Sequence, residues 1–393
     1  MSCRFAMVGG ILLAILVPAG VSFGQGINYQ VLHSFNFSEA PTAGLVIAGS
    51  TIFGETMAGG MYHHGGFFKV STSGSSYTVL HSFTGTNDDV YGDVSVLVGS
   101  TLYGTGSNGQ GNVFKMSMDG TASSILHAFG SSLGDGTYPL CPLIANGSTL
   151  YGATQSGGAL GNNGTIFKIN ADDGSYSLLH TFNGDDGTFP NEPILSGSTI
   201  YGTTLVGGSG GAGSVYKFNA VGDGFTTIYS FASGGIGRPT GSIAICGATI
   251  YGVTEFGVTG NYGAVFRVNT DGSDYRVIHL FSSSDVGGFT PLGLTILNST
   301  LYGETQAGGA NNSGSIFSMN MDGSGYSVLH PFSSGALPHG CLTIDGSTLY
   351  GTTYYGGSYN GGSVFSLIVP EPSTLFLLGI SSIGLLAYAR RRR

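Results

Sequence analysis

The feature that most constrains this chain is a pattern of about 50 residues that recurs seven times. Its clearest mark is an apolar residue followed by an aromatic residue and glycine, first at Ile52-Phe53-Gly54 and last at Leu349-Tyr350-Gly351. Successive aromatic residues of this mark are 50, 48, 50, 50, 51 and 48 residues apart. So regular a period indicates a repeat architecture, in which each unit buries its apolar face against its neighbours.

Each repeat is predicted to form four antiparallel strands. In the third repeat, the apolar run Leu140 to Ile144 and the strand Thr149 to Thr154 flank an Asn-Gly hairpin signal, and two further strands follow at Gly164 to Asn170 and Tyr176 to Phe182. The third strands share an aromatic residue: Phe68, Phe114, Phe167, Tyr216, Phe266, Phe317 and Phe365. Four such strands make one blade of a β-propeller, so we predict an all-β, seven-bladed propeller over residues 25–368.

A mark of the fourth strand indicates how the ring closes. It places His or Tyr two residues before Phe, and its copies are His33, His81, His127, His180, Tyr229, His279 and His330. The first copy precedes the first complete repeat, and the last repeat ends at Ile368 without a fourth strand. We therefore predict that the strand from Ile27 to Phe35 completes the seventh blade, because a closed ring leaves no exposed sheet edges.

The repeats resemble the GloVer tandem repeat of large exported bacterial proteins. The resemblance is carried by the Leu-Tyr-Gly-x-Thr step, the Gly-Gly pairs, a Gly-x-Ile-Phe strand and an Asp-Gly-Ser turn before Tyr, as at residues 150–176 and 301–326. Departures are local: Phe53 and Gly106 replace residues of the step, and Tyr229 replaces His. The resemblance implies no established activity.

Both ends of the chain carry export signals. Residues 1–24 have Arg4, an apolar run from Met7 to about Val21 and small residues before Gln25, which is typical of a cleaved signal peptide. At the other end, an apolar stretch from Leu375 to Ala389 precedes four arginines. Its fifteen residues would form a helix of roughly 22 Å, enough to span a bilayer only marginally. The arginines should stay in the cytoplasm and leave the propeller outside.

The last 25 residues resemble the PEP-CTERM sorting signal. The motif Val369-Pro370-Glu371-Pro372, the apolar helix and the Arg cluster occur in the order typical of that signal. The resemblance implies recognition and cleavage by an exosortase-type membrane protease, in a Gram-negative bacterium that makes exopolysaccharide. Surface display or release would follow. A plain C-terminal membrane anchor is the alternative.

Charge and cysteine usage exclude some functions. Residues 25–369 contain 20 Asp and Glu against seven Lys and Arg, a formal net charge of −13, which argues against nucleic acid or an anionic membrane as a partner of this part of the chain. Cys141, Cys246 and Cys341 are an odd number, so they form no complete disulfide framework and are interpreted as buried apolar thiols. No Cys and His cluster has zinc-like spacing, and we predict no cofactor.

Residues that recur in every repeat are interpreted as structural. The six His of the fourth-strand mark are spread around the ring, too far apart to share one metal ion or substrate, and Tyr229 replaces one of them. Each should pack beside the Tyr and Phe marks. The Asp-Gly turns, such as Asp119-Gly120 and Asp173-Gly174, require only residues that tolerate a left-handed backbone.

Unrepeated residues in the loops are better candidates for function. The loops between second and third strands, and those that connect blades, should open on one face. The weak binding candidates placed there are His63, His64, Asp88, Asp89, Asp185, Asp186 and Glu192, with Asp93, Asp135, Arg238 and Asp285 in equivalent connections.

The sequence contains no recognisable catalytic constellation. We therefore expect a non-catalytic binding or structural propeller at the cell surface or in the matrix, recognising a glycan or a surface protein. The alternative is a secreted carbohydrate-active hydrolase or lyase that uses two unrepeated carboxylates. A binding protein should instead expose aromatic residues such as Tyr354, Tyr355 and Tyr359.

Overall fold

The computed structural model describes residues 27–369, except 43, 85–91, 107–108, 133, 140, 258–261, 286 and 334. These residues form a seven-bladed β-propeller, and no helix occurs among them. Consequently no helix in this part of the chain could span a membrane, and the apolar helix predicted at Leu375 to Ala389 lies outside it.

The first strand and blades 1 to 3 follow the predicted four-strand pattern. In chain order the strands are β1 (Asn28–Ser34), β2 (Val46–Ala48), β3 (Thr51–Thr56), β4 (Gly66–Ser71), β5 (Tyr77–Ser82), β6 (Gly92–Val98), β7 (Thr101–Gly106), β8 (Asn112–Ser117), β9 (Ser123–Ala128), β10 (Gly136–Thr137), β11 (Ile144–Asn146), β12 (Thr149–Thr154), β13 (Ser156–Gly157), β14 (Thr165–Asn170) and β15 (Tyr176–Thr181). Blades 1, 2 and 3 are the sheets β2–β5, β6–β9 and β11-β12-β14-β15.

Blades 4 to 7 repeat this order. Their strands are β16 (Thr188–Pro190), β17 (Ile194–Ser196), β18 (Thr199–Val206), β19 (Gly211–Asn219), β20 (Thr226–Ala232), β21 (Gly237–Cys246), β22 (Thr249–Phe256), β23 (Ala264–Asn269), β24 (Arg276–Leu280), β25 (Phe289–Leu297), β26 (Thr300–Ala307), β27 (Ser315–Asn320), β28 (Ser327–Pro331), β29 (Pro338–Asp345), β30 (Thr348–Thr353) and β31 (Ser363–Ile368). The short β10, β13 and β16 were not predicted; they pair loop backbone beside blades 3 and 4.

The ring closes as predicted, through the N-terminal strand. Blade 7 has the strand order β1-β31-β30-β29, so β1 supplies its outermost strand. The pairing is antiparallel, with Asn28 opposite Ile368 and Ser34 opposite Ser363. Both chain ends are therefore tied into one sheet, which removes the open edge that an unclosed stack would present.

The core lies between neighbouring blades. In one cluster Phe53 and Phe67 of blade 1 pack with Leu102 and Phe114 of blade 2, and equivalent clusters join the other blades. The glycine of the apolar-aromatic-Gly step makes room for the third-strand aromatic. A Cβ on Gly152 would lie 2.5 Å from the Phe167 ring, so only glycine fits beneath it.

The two ends of the propeller differ. The face bearing the second-to-third-strand loops and the blade connections is called the loop face. The face bearing the short hairpin turns within each blade is called the turn face. On the loop face, the two kinds of loop bond to each other: the Gly158 amide donates to the Asp135 carbonyl at 2.8 Å and the Asn311 side chain to the Phe332 carbonyl at 2.7 Å.

Candidate functional site

The recurring histidines form stacks between adjacent blades. Five of the six stack their rings on an aromatic residue at the start of the next blade's outer strand, with centroids 3.6 to 4.2 Å apart; the pairs are His33–Tyr77, His127–Tyr176, His180–Phe225, His279–Tyr326 and His330–Tyr29. Tyr229 stacks on Tyr275 in the same way. Burial lowers the pKa of His33, His279 and His330, which favours the neutral ring. These residues join blades and are not ligands of a shared site.

At the seventh junction, the aromatic position holds a different residue type. His81 of blade 1 faces blade 2, where Ser123 occupies that position. The other six junctions show that an aromatic ring is the usual residue there.

Three of the candidate aspartates support these histidines. His127 Nε2 lies 3.2 Å from Asp135, which also accepts a hydrogen bond from the Tyr176 hydroxyl at 2.9 Å. His180 Nε2 lies 2.9 Å from Asp186. Asp285 lies 4.0 Å from His279 and caps its own loop. These carboxylates, six to eight residues after their histidine, hold the blade connections in place.

The other predicted loop residues do not converge. Asp185 is exposed beside Asp186, and His63 and His64 lie in the blade 1 loop. Arg238 pairs with Glu255 at 3.2 Å and lies over the Phe256 ring. Asp88 and Asp89 lie outside the described residues, as does the Asp93 side chain.

Glu192 is located differently from the other candidates, because it lines the central channel. This cavity of about 500 Å³ is bounded by the starts of the innermost strands of all seven blades. Its polar lining includes Gln155, Asn191, Glu192 and His339. The Asn191 side chain is fixed by donating to the Pro239 carbonyl at 2.8 Å and to the Thr203 hydroxyl at 2.9 Å.

Behind the channel wall lies a buried carboxyl. Glu304 is 1% exposed, and neither of its oxygens has a hydrogen-bond partner among the described residues. Burial raises its pKa well above the ordinary value of 4.5. Burial, with smaller contributions from Glu192 and Glu304, also raises the pKa of the channel-lining Cys341 thiol to about 12. Glu304 does not line the cavity, so only Glu192 among the described carboxylates contacts the channel space.

An aromatic path leads from the channel to the loop face. The channel-lining His339 lies 5.8 Å from the Tyr354 ring, which packs edge-on against Tyr355 at 4.7 Å. Tyr355 and Tyr359 are 42% and 64% exposed. The predicted exposure of this loop is thus present for two of its three tyrosines, since Tyr354 is partly buried.

Further exposed apolar residues lie beside this path, where the chain passes from blade 7 to blade 1. Phe37 is 73% exposed in the connection, and Met61 and Tyr62 are exposed in the blade 1 loop. The connection bonds to both loops, through Ser34 to the Ser358 amide and through the Ala40 carbonyl to Met57. Together Phe37, Met61, Tyr62, Tyr355 and Tyr359 are called the seam patch.

Sequence reasoning missed most of the channel residues. Aligned on the aromatic-Gly step, the position nine residues upstream is Gly44, Val94, Pro142, Glu192, Ser242, Gly293 and Cys341. This variability within otherwise regular repeats was the available signal, because scaffold positions recur and lining positions need not. Among the residues with described coordinates, no group of three His, Cys, Asp or Glu side chains is arranged to hold a metal ion.

Comparison with known families accounts for nearly the whole chain. The Gloeobacter/Verrucomicrobia repeat model matches residues 21–198 and 191–377, which confirms the GloVer resemblance. The PEP-CTERM protein-sorting motif matches residues 369–393. No curated protein matches the chain.

Solved structures share the fold at low identity. An oligogalacturonate lyase from Vibrio parahaemolyticus aligns with a TM-score of 0.60 and 11% identity, over 90% of this chain and 96% of its own. An oligogalacturonate lyase in complex with manganese gives 0.59 and 12%, over 89% and 95%. YCF48 from Cyanidioschyzon merolae gives 0.57 and 10%, over 86% and 98%. Identities this low support the propeller fold alone.

Proposed function

This chain belongs to the Gloeobacter/Verrucomicrobia repeat family and is an exported repeat protein with a PEP-CTERM sorting signal, and from that premise we propose that it is a non-catalytic glycan-binding propeller. The ligand is a neutral or weakly charged polysaccharide, recognised on the loop face. The observation that carries this proposal is the aromatic path from His339 through Tyr354 to the exposed Tyr355.

The chemistry of the loop face suits a sugar chain. Exposed tyrosine rings offer flat apolar surfaces for the C–H face of a sugar, and their hydroxyls can bond to water or to the ligand. The adjoining channel adds convergent polar groups, including Gln155, Asn191 and Glu192, within a concave space. The net negative charge of the exported part disfavours strongly acidic polymers.

The cellular setting is also part of the proposal. A cleaved signal peptide at residues 1–24 and removal of the tail by an exosortase-type protease would release the propeller at the surface of a Gram-negative cell. An exopolysaccharide made by that cell is then the nearest glycan, and a surface protein is the alternative partner.

A hydrolase or lyase is the second candidate, favoured by one observation. The charges of Glu192 and of the buried Glu304 both contribute to the raised pKa of the Cys341 thiol, so both carboxyl groups lie near it. Because the pKa of Glu304 is itself raised, the two resemble a general acid beside a second carboxylate. Because Glu304 lies behind the wall and does not line the cavity, binding is the preferred function. The oligogalacturonate lyases act on oligogalacturonate, and that substrate is the first to offer this chain.

Glycan binding can be tested with the purified propeller. Affinity electrophoresis in gels containing neutral or acidic polysaccharides should show retardation by a neutral polymer. Replacing Tyr355 and Tyr359 with Ala should weaken binding at least tenfold, because the contact of each tyrosine ring with a sugar ring contributes about 1 kcal/mol. Release of reducing ends from oligogalacturonate is measured on the same samples.

The matched control is Tyr138→Ala, which removes an aromatic residue of the same 42% exposure from the loop face near blade 3. It should bind like the unchanged protein. Equal binding by the Tyr355 and Tyr359 variant, or no retardation by any polymer, would refute the proposal. Cleavage that is abolished by Glu192→Gln would establish the enzyme instead.

A further inference from the structure

Both chain ends leave the propeller at the turn face. Strands β1 and β31 are antiparallel, and Asn28, the first residue of β1, pairs with Ile368, the last of β31. The Val369 amide donates to the carbonyl of Ser347, in the turn between β29 and β30, at 2.9 Å. The loop face, with the channel residues and the seam patch, is at the opposite end of these strands.

The sorting motif begins inside the folded propeller. Val369, its first residue, is 4% exposed and packs with Leu342, Leu349 and Leu367 of blade 7. Only residues 370–374 separate it from the apolar stretch at Leu375. Even fully extended, the six steps from residue 369 to 375 reach about 20 Å. The fold therefore has almost no spacer between itself and the segment that would enter the membrane.

The turn face carries charges of both signs. Its turns and their flanks contain Asp119, Asp172, Asp173, Asp223, Asp271, Asp274, Asp322 and Asp345, and the adjoining strand ends contain Lys69, Lys115, Lys168, Lys217, Arg267 and Arg276. Hydrogen bonds from Ser117 and Thr121 lower the pKa of Asp119 to about 2, and bonds from neighbouring serines lower the pKa of Asp173, Asp271 and Asp322, so these groups stay ionised at neutral pH. Arg267 and Arg276 pair with Asp274, and the Lys217 ammonium donates to the carbonyl of Thr270 in the next blade's turn. Six cations against eight aspartates give this face a formal charge of only 6 − 8 = −2.

We propose that the turn face is the membrane-proximal face of the propeller, held within about 20 Å of the bilayer by the tail. The loop face then points away from the cell, where a ligand can reach it. This orientation rests on insertion of the tail, and it holds whether or not the loop face binds a glycan.

The test uses the full chain in lipid vesicles, with native cysteines replaced by alanine. A donor dye is attached at Asp173→Cys on the turn face or at Asp185→Cys on the loop face, and acceptor dyes are on the lipids. Both positions are exposed aspartates flanking the same strand, β15, so the two variants carry the same change in charge. Energy transfer should be clearly stronger from position 173.

Two further variants test the tether. Ten Gly and Ser residues inserted after Val369 should reduce transfer from position 173, and a chain ending at Val369 should give none. Equal transfer from both faces, stronger transfer from position 185, or absence of transfer from both would overturn the orientation.

Discussion

Replacing Glu304 with Gln should stabilise the propeller increasingly as the pH rises. The carboxyl is enclosed between blades 6 and 7, where it pairs across strands with Gly293 and Ile316 and faces Cys341. Tyr29 is the other titratable group that its charge affects, and no cation pairs with it in the described structure. Burial therefore keeps Glu304 protonated in the folded state, whereas the unfolded chain ionises it near its ordinary pKa.

The sign and size follow from proton linkage. A carboxyl whose folded pKa is raised contributes its full stability below the unfolded pKa of 4.5 and loses it as the pH rises toward the folded pKa. In that interval each pH unit lowers the free energy of unfolding by about 1.4 kcal/mol. Between pH 5.5 and 6.5, the difference between Glu304→Gln and the unchanged protein should thus grow by about 1.4 kcal/mol.

Urea unfolding at pH 5, 5.5, 6, 6.5 and 7 measures this difference directly. The matched control is Asp345→Asn, which removes an exposed carboxyl from a turn of blade 7 and keeps a residue suited to the turn. The Glu304→Gln difference should rise with pH more steeply than the difference for this control. If the Glu304→Gln difference is constant across this pH range, Glu304 is ionised in the folded protein and the argument from its burial is wrong.

Three further changes test the packing. Tyr275→Ser, which gives the junction of blades 4 and 5 the residue type that Ser123 has in blade 2, should remove the stack with Tyr229 and lower the free energy of unfolding by at least about 0.5–1.5 kcal/mol, measured by urea unfolding; no loss would show that the stack does not stabilise the junction. Gly293→Ala should destabilise by about 1–3 kcal/mol because its Cβ would lie 2.3 Å from the Cys341 sulfur, and Cys341→Ala in the same chain should recover most of the loss; an unrecovered loss would contradict that contact. Cys341 should resist alkylation by iodoacetamide at pH 8 in the folded protein, because desolvation raises its thiol pKa to about 12; peptide mass spectrometry measures the labelling, and rapid labelling would refute the raised pKa.

The fold was predictable because each scaffold requirement recurs seven times. The Tyr-Gly step, the third-strand aromatic and the His mark fixed strand order, and the spare strand from Ile27 to Phe35 indicated closure; the observed strand is Asn28–Ser34. The innermost strand of blade 3 was the weakest prediction, since the run Leu140 to Ile144 is followed by the strand Ile144–Asn146. That segment approaches the channel, where side chains contact residues of other blades and are therefore not constrained to the repeat pattern.

The site was much less predictable. Asp135 and Asp186 looked like free loop carboxylates, but each bonds to a histidine of its own blade, a contact that depends on the path of the connection. Asn191 and His339 belong together only because blades 4 and 7 meet at the axis, about 150 residues apart in the chain. Convergence of this kind follows from ring closure, which the local pattern does not encode residue by residue.

The pairing of Asn28 with Ile368 has a consequence for how the protein is made. About 340 residues separate the two strands, so the first strand must wait until nearly the whole chain has been delivered before it finds its partner. Until then β1 has no partner strand, and the early blades expose an unpaired edge that can pair with another chain. The sorting motif starts at the residue after β31, so the strand that allows the ring to close and the sorting signal are synthesised one directly after the other. A chain that ends prematurely, before β31, lacks both.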